Sequence, residues 1–168
     1  MEGLPVMHYT FLFHFGNISA GAWEHSYSSE YVCQEMPLAT LQDNYRPVVA
    51  HEFLHILTPL KIHSELVAKF NFVKPVMSRH LWFYEGVTDL GVHCTEMQDQ
   101  YLNIYMKGAI VAGLLDIKLL QLSHEKRELR KVIHQLSQIY GPNKSFSEKI
   151  FFLDFTKLTY PEIGDFFS

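Results

Sequence analysis

Apolar and polar positions alternate with a period of two from His8 to Phe15, with Tyr9, Phe11, Phe13 and Phe15 on one face and His8, Thr10, Leu12 and His14 on the other. That period predicts a strand. The Gly16-Asn17 pair and the region of Gly21 break it, and Tyr27–Cys33 reads as a second short strand or an irregular segment. From Asp43 or Asn44, both good N-caps, apolar residues recur at helical spacing through Val48, Val49, Phe53, Leu54 and Leu57, and this helix is predicted to stop where Thr58 precedes Pro59. Ser78 is a candidate cap for a second helix through Leu81, Trp82, Val87, Leu90 and Val92. A third, strongly apolar helix begins near Asn103 and reaches Leu120 or beyond. The polar stretch HEKRELRKVIHQL that follows reads as a solvated amphipathic helix. After a turn at Gly141-Pro142-Asn143, Ser145 with Glu148 and Thr159 with Glu162 have capping-box spacing for two short terminal helices. The pattern is that of an α+β, mainly helical chain: a short β segment over about residues 6–40, then a helical body over about 43–168, with no internal repeat or low-complexity linker.

Composition narrows the picture. A chain of 168 residues, 48% of them hydrophobic, can bury one core and falls within the size of a single domain. The net charge of −4 and the lack of a basic block argue against nucleic acid as a partner, since affinity for its backbone comes from clustered Lys and Arg. Cys33 and Cys94 have no metal-like spacing and are too few for a disulfide framework, although one disulfide is open to them. No charged leader precedes a long apolar stretch at the N-terminus, and no run is long enough to span a bilayer. The chain carries 10 histidines, an excess that hints at metal or proton chemistry.

The hint acquires a pattern at His51-Glu52-Phe53-Leu54-His55. This HExxH spacing puts both imidazoles on one helix face, a turn apart, where they can grip one ion, with Glu52 beside them to take a proton from water. A catalytic zinc ion normally takes three protein ligands, and Glu85, on the predicted helix HLWFYEGVTDL, is the candidate third. Asp89 follows it by one turn, suitably placed to orient a ligand histidine through its second ring nitrogen. Tyr105, in Tyr105-Met106-Lys107-Gly108, could hydrogen-bond the oxyanion formed when water attacks a carbonyl. Glu24, in Gly21-Ala22-Trp23-Glu24-His25, could pair with a substrate's free amino terminus, while Gly21 lets backbone approach backbone. Taken alone, Tyr105 is a packing tyrosine and Glu24 a surface glutamate. His25, His63 and His80 could contribute substrate contacts, although each reads first as a structural or exposed residue rather than a metal ligand.

Four ordered blocks, AHEFLHILTPLKIHSE, HLWFYEGVTDL, YMKGAIVAGLLDIKLL and LTYPEIGDFF, make the chain resemble the glycyl aminopeptidase family of gluzincins, also called PDZ peptidases. The resemblance implies a thermolysin-like catalytic domain and zinc-dependent peptide hydrolysis, in the direction of an aminopeptidase, with one Zn2+ per chain. His51, His55 and Glu85 fall on its metal-ligand positions, Glu52 on its general base and Tyr105 on its oxyanion-stabilising tyrosine. Gly21, Ala22 and Glu24 fall on its substrate-binding block, whose commoner wording this chain departs from. Glu24 and the edge of the aromatic strand are expected to hold the peptide in register. The chain reads as a catalytic core alone, without the family's N-terminal β domain or C-terminal PDZ domain, and the connection from Gly91 to Tyr101 reads as shorter than usual. Many members are exported, although no leader is visible here. An endopeptidase with the same chemistry, or an inactive metal-stabilised peptide-binding module, is the alternative reading.

Overall fold

The structure is a computed structural model that describes residues 6–17, 19–90 and 107–168, without the side chains of residues 89 and 90. Three strands, β1 (Thr10–Phe15), β2 (Gly21–Glu24) and β3 (Ser28–Cys33), form a small sheet in the order β1-β3-β2. The predicted strand β1 forms, although all its residues are exposed, and it runs parallel to β3 with Phe11 opposite Ser29 and Phe13 opposite Tyr31. Contrary to the expected break at Gly21, Gly21–Glu24 is a strand. It hairpins onto β3 with Glu24 opposite Ser29, and pairing with β3 overrides the glycine. Residues opposite one another share a face, so Phe11, Ser29 and Glu24 line up across the sheet on the side where Tyr31 and Cys33 are buried.

That face meets α1 (Leu38–Leu54). The Tyr31 hydroxyl donates to the Val49 carbonyl at 3.3 Å, and the Phe53 ring sits edge-on to Tyr9 with centroids 4.9 Å apart. Helix α1 begins about one and a half turns earlier than predicted, directly after Pro37, with Pro47 carried inside it. Neither Asp43 nor Asn44 is its cap. It also ends earlier, at Leu54, and residues 55–60 continue as turns.

The helical body consists of α2 (Glu65–Ala68), α3 (Leu81–Leu90), α4 (Lys107–Leu122), α5 (Leu129–Ile139), α6 (Phe151–Leu158) and a 3₁₀ segment, Pro161–Phe167. The HEKR part of the predicted amphipathic helix is instead a turn in which His124 and Glu125 take positive φ values. The Ser123 hydroxyl accepts the Arg127 N–H at 2.8 Å, so a side chain holds this turn where a glycine is usual. What remains is amphipathic but not merely solvated, since Leu129, Val132, Ile133 and Leu136 are buried against the core.

The capping boxes do not form. α6 starts at Phe151 without a side-chain cap, and the Thr159 hydroxyl donates back to the Phe155 carbonyl at 2.7 Å. Glu148 works elsewhere: its carboxylate accepts the Ser78 hydroxyl at 2.5 Å and the Arg79 N–H at 3.0 Å. Ser78 in turn accepts the His80 N–H at 3.0 Å, in the turn that leads into α3 rather than at the helix's own first residues. Burial alone would raise the Glu148 carboxyl, but bonds from the Ser64 and Ser78 hydroxyls and the Arg79 N–H hold it below the usual carboxylate range.

The core lies among α3, α4, α5 and α6, centred on Phe83, Leu115, Leu119, Leu136, Phe151 and Phe155. α3 and α4 cross at Gly86 and Gly108, where a Cβ added to Gly86 would lie 2.3 Å from the Gly108 carbonyl oxygen. No helix among the described residues is long and apolar enough to cross a membrane. Cys33 is a free, buried thiol, while Cys94 and the connection from Gly91 to Tyr101 lie outside the described residues.

Candidate metal centre

α1 delivers His51 in its last turn, and His55 follows directly as its C-cap. The His55 N–H still bonds the His51 carbonyl at 3.3 Å, so the two rings stay a turn apart with centroids at 4.6 Å. α3 brings Glu85 against them from the other side. Its Oε2 lies 3.3 Å from His51 Nε2 and 3.5 Å from His55 Nε2, and the two nitrogens are 3.0 Å apart. Both histidines are buried, and Glu85 Oε2 is itself buried without a hydrogen-bond partner.

This geometry fits a cation. Donors about 2.0–2.1 Å from one tetrahedral ion stand roughly 3.3–3.4 Å from each other, close to the three separations here. His55 Nδ1 donates to the Thr58 carbonyl at 2.7 Å, which leaves the Nε2 lone pair facing the centre when the ring is neutral. The sequence does not flag Thr58 for this role, because Thr-Pro signals only a helix stop and the bond is made by a main-chain carbonyl. Asp89 was the predicted orienter of a ligand histidine; it sits on α3, but its side chain is not described. Tyr105 lies outside the described residues.

Glu52 and Glu24 complete the set. One donor atom each from Glu24, Glu52 and His55 lies within 4.8 Å of the other two, so the β2–β3 hairpin places Glu24 beside the helix that carries the motif. Gly21 and Ala22 open β2, and the space a Gly21 side chain would take is filled by the Trp23 indole, 3.1 Å from that position, rather than by another backbone. The aromatic strand β1 is the edge opposite β2. Glu24 and the aromatic strand β1 therefore lie on opposite edges of the sheet. Of the remaining histidines, His25 is exposed, His63 donates to the Pro59 carbonyl at 3.1 Å, and His80 donates to the Glu148 carbonyl at 3.1 Å among Phe146, Phe151 and Phe152.

Burial raises the Glu52 carboxyl above the usual range despite the opposing pull of His51 and His55. Burial acts the same way on Glu85, but the two histidines facing it, His51 and His55, outweigh it and bring that carboxyl down to about 2. For His55, burial works against the proton and Glu85 more than restores it, so its pKa is raised. The last two shifts describe one ion pair and set a window for the metal-free chain. The depressed Glu85 stabilises the fold above its unfolded pKa of about 4.3, and this is lost as pH falls toward 2. The raised His55 stabilises it fully below about 6.5, and this is lost as pH climbs through its folded value. Thermal unfolding in a chelator should therefore show greatest stability at mildly acid pH, between about 4.3 and 6.5, and a decline on both sides. The optimum should fall toward the lower end of that range, because the raised Glu52 carboxyl costs stability as pH climbs above its unfolded value. With zinc present the alkaline decline should vanish, because the ion holds neutral imidazoles.

The fold has a solved counterpart. An aminopeptidase N family protein from Idiomarina loihiensis superposes with a TM-score of 0.69 at 20% identity, over 93% of this chain. The chain spans 39% of that protein's length. Residues 44–103, which contain both motif-bearing stretches, match the M61 glycyl aminopeptidase family. The match agrees with the resemblance read from the blocks around His51 and Glu85. Among curated proteins none matches it.

Proposed function

We propose that the chain is the catalytic core of a zinc-dependent peptidase with a thermolysin-like gluzincin fold, and that it acts as an aminopeptidase. The observation that carries this reading is the buried triangle of His51, His55 and Glu85, at 3.0, 3.3 and 3.5 Å, with an unpartnered carboxylate oxygen at one corner and a second glutamate beside it. His51, His55 and Glu85 would hold the ion. Zinc in such a site supplies a Lewis acid for the scissile carbonyl and water acidic enough to ionise near neutral pH.

The remaining work falls to the chain's own residues. Glu52, made more basic by burial, takes the proton of the attacking water and returns it to the leaving amine. Tyr105 donates to the carbonyl oxygen as it gains negative charge. β2 is paired only to β3 among the described strands, so its other edge is open to an extended peptide. Glu24, at its end, receives the peptide's ammonium group. Asp89 is assigned to orient a ligand imidazole.

Elemental analysis of the purified chain should find about one zinc per molecule, lost in both His51→Ala and Glu85→Ala. A free-amine peptide should be cleaved and its acetylated counterpart spared. Equal cleavage of the two would make the enzyme an endopeptidase in which Glu24 makes no amine contact. Stoichiometric metal without cleavage of either would favour the binding-module reading.

A further inference from the structure

We infer that Thr58 is a positioning residue that couples the two arms of the metal site. The inference rests on the metal reading above. His51 and His55 belong to α1 and Glu85 to α3, and a competent site requires both arms to be held at one spacing. Thr58, 0% exposed, touches each arm with a different group. Its carbonyl accepts the His55 Nδ1–H at 2.7 Å and turns Nε2 toward Glu85. Its hydroxyl donates to the carbonyl of Tyr84, the residue before Glu85, at 3.3 Å.

Tyr84 is well fixed on every side. Its phenol oxygen accepts the Ser64 N–H at 3.0 Å, while the Thr88 hydroxyl is shared between the Glu85 carbonyl at 2.7 Å and the Tyr84 carbonyl at 3.2 Å. The turn that follows the HExxH helix is thus bonded to the ligand-bearing turn of α3 through Thr58 and, six residues later, through Ser64. Removing the Thr58 hydroxyl leaves the carbonyl bond to His55 in place and frees α3 from the turn that orients the imidazole. Outer-shell contacts of this kind are worth about 10- to 100-fold in metal affinity.

Thr58→Val keeps the shape and deletes only the hydroxyl, whereas Thr58→Ser keeps the hydroxyl. Zinc affinity would be measured in the full chain by competition with a chromophoric chelator, and ligand geometry by the visible spectrum of the cobalt(II)-substituted protein. The expected result is about 10-fold weaker zinc binding and an altered cobalt spectrum in Thr58→Val, with Thr58→Ser close to the parent in both. Should the valine variant fail to fold, Thr58→Ala provides the same comparison with less steric demand. Parent-like affinity and spectrum in a folded hydroxyl-free variant would overturn the positioning role while leaving the metal site intact. A parent chain that takes up no metal on reconstitution would instead overturn the metal reading, and this inference with it.

Discussion

Glu52→Gln should keep its zinc and lose about 10²- to 10⁴-fold in kcat, the range assigned to a positioned general base. The amide matches the carboxylate in shape but cannot accept a proton. None of the three donor atoms in the triangle belongs to residue 52, so metal content should stay near that of the parent. Burial accentuates the loss, because it favours the proton-accepting chemistry of the carboxylate and has no such effect on an amide. Elemental analysis and a steady-state assay on the same preparation separate the two effects. A parent-like rate would remove Glu52 from the mechanism, and loss of metal would make it part of the site's scaffold.

The second large effect is expected far from any proton transfer. In Gly86→Ala the new Cβ would stand 2.3 Å from the Gly108 oxygen and 2.4 Å from its carbonyl carbon. Both are backbone atoms, so no rotamer change relieves the overlap and the two helices must separate. Overpacking of this kind costs on the order of 3 kcal/mol, which for a chain of this size lowers Tm by roughly 6–12 °C. Gly108→Ala should be milder, since its Cβ would meet the Trp82 carbonyl oxygen at 3.0 Å and Gly86 at 3.3 Å. Gly86 follows Glu85 directly, so the first substitution should also weaken metal retention. Thermal unfolding of both variants, with and without zinc, tests the order; Gly86→Ala melting with the parent would refute the close crossing.

The parts of this molecule that could be read in advance are those whose signal is local. Period-two alternation announces β1, and a four-residue interval is enough to put His51 and His55 on one helix face. Glu85 was legible from its block. What escaped depends on partners distant in sequence or on backbone groups. Gly21–Glu24 becomes a strand because β3 is there to pair with it. α1 runs back to Leu38 through Pro47, a residue that usually marks a helix start or break. The end of α4 carries no glycine to flag it, since Ser123 holds His124 and Glu125 in left-handed conformations. The orienting acceptor for His55 is a main-chain carbonyl, invisible to any search over side-chain types.

The distribution of the three donors has a thermodynamic consequence. Two of them close one helix and the third belongs to another, roughly thirty residues onward, so an ion bound among them cross-links the chain much as a disulfide would, but reversibly. The tether exists only while the ion is present. Above the dissociation constant, each tenfold rise in free zinc adds about 1.4 kcal/mol to the stability of the folded state. With the proposed ion bound, the melting temperature would report the free metal concentration, and chelation and heating would be two routes to the same opening of α1 from α3.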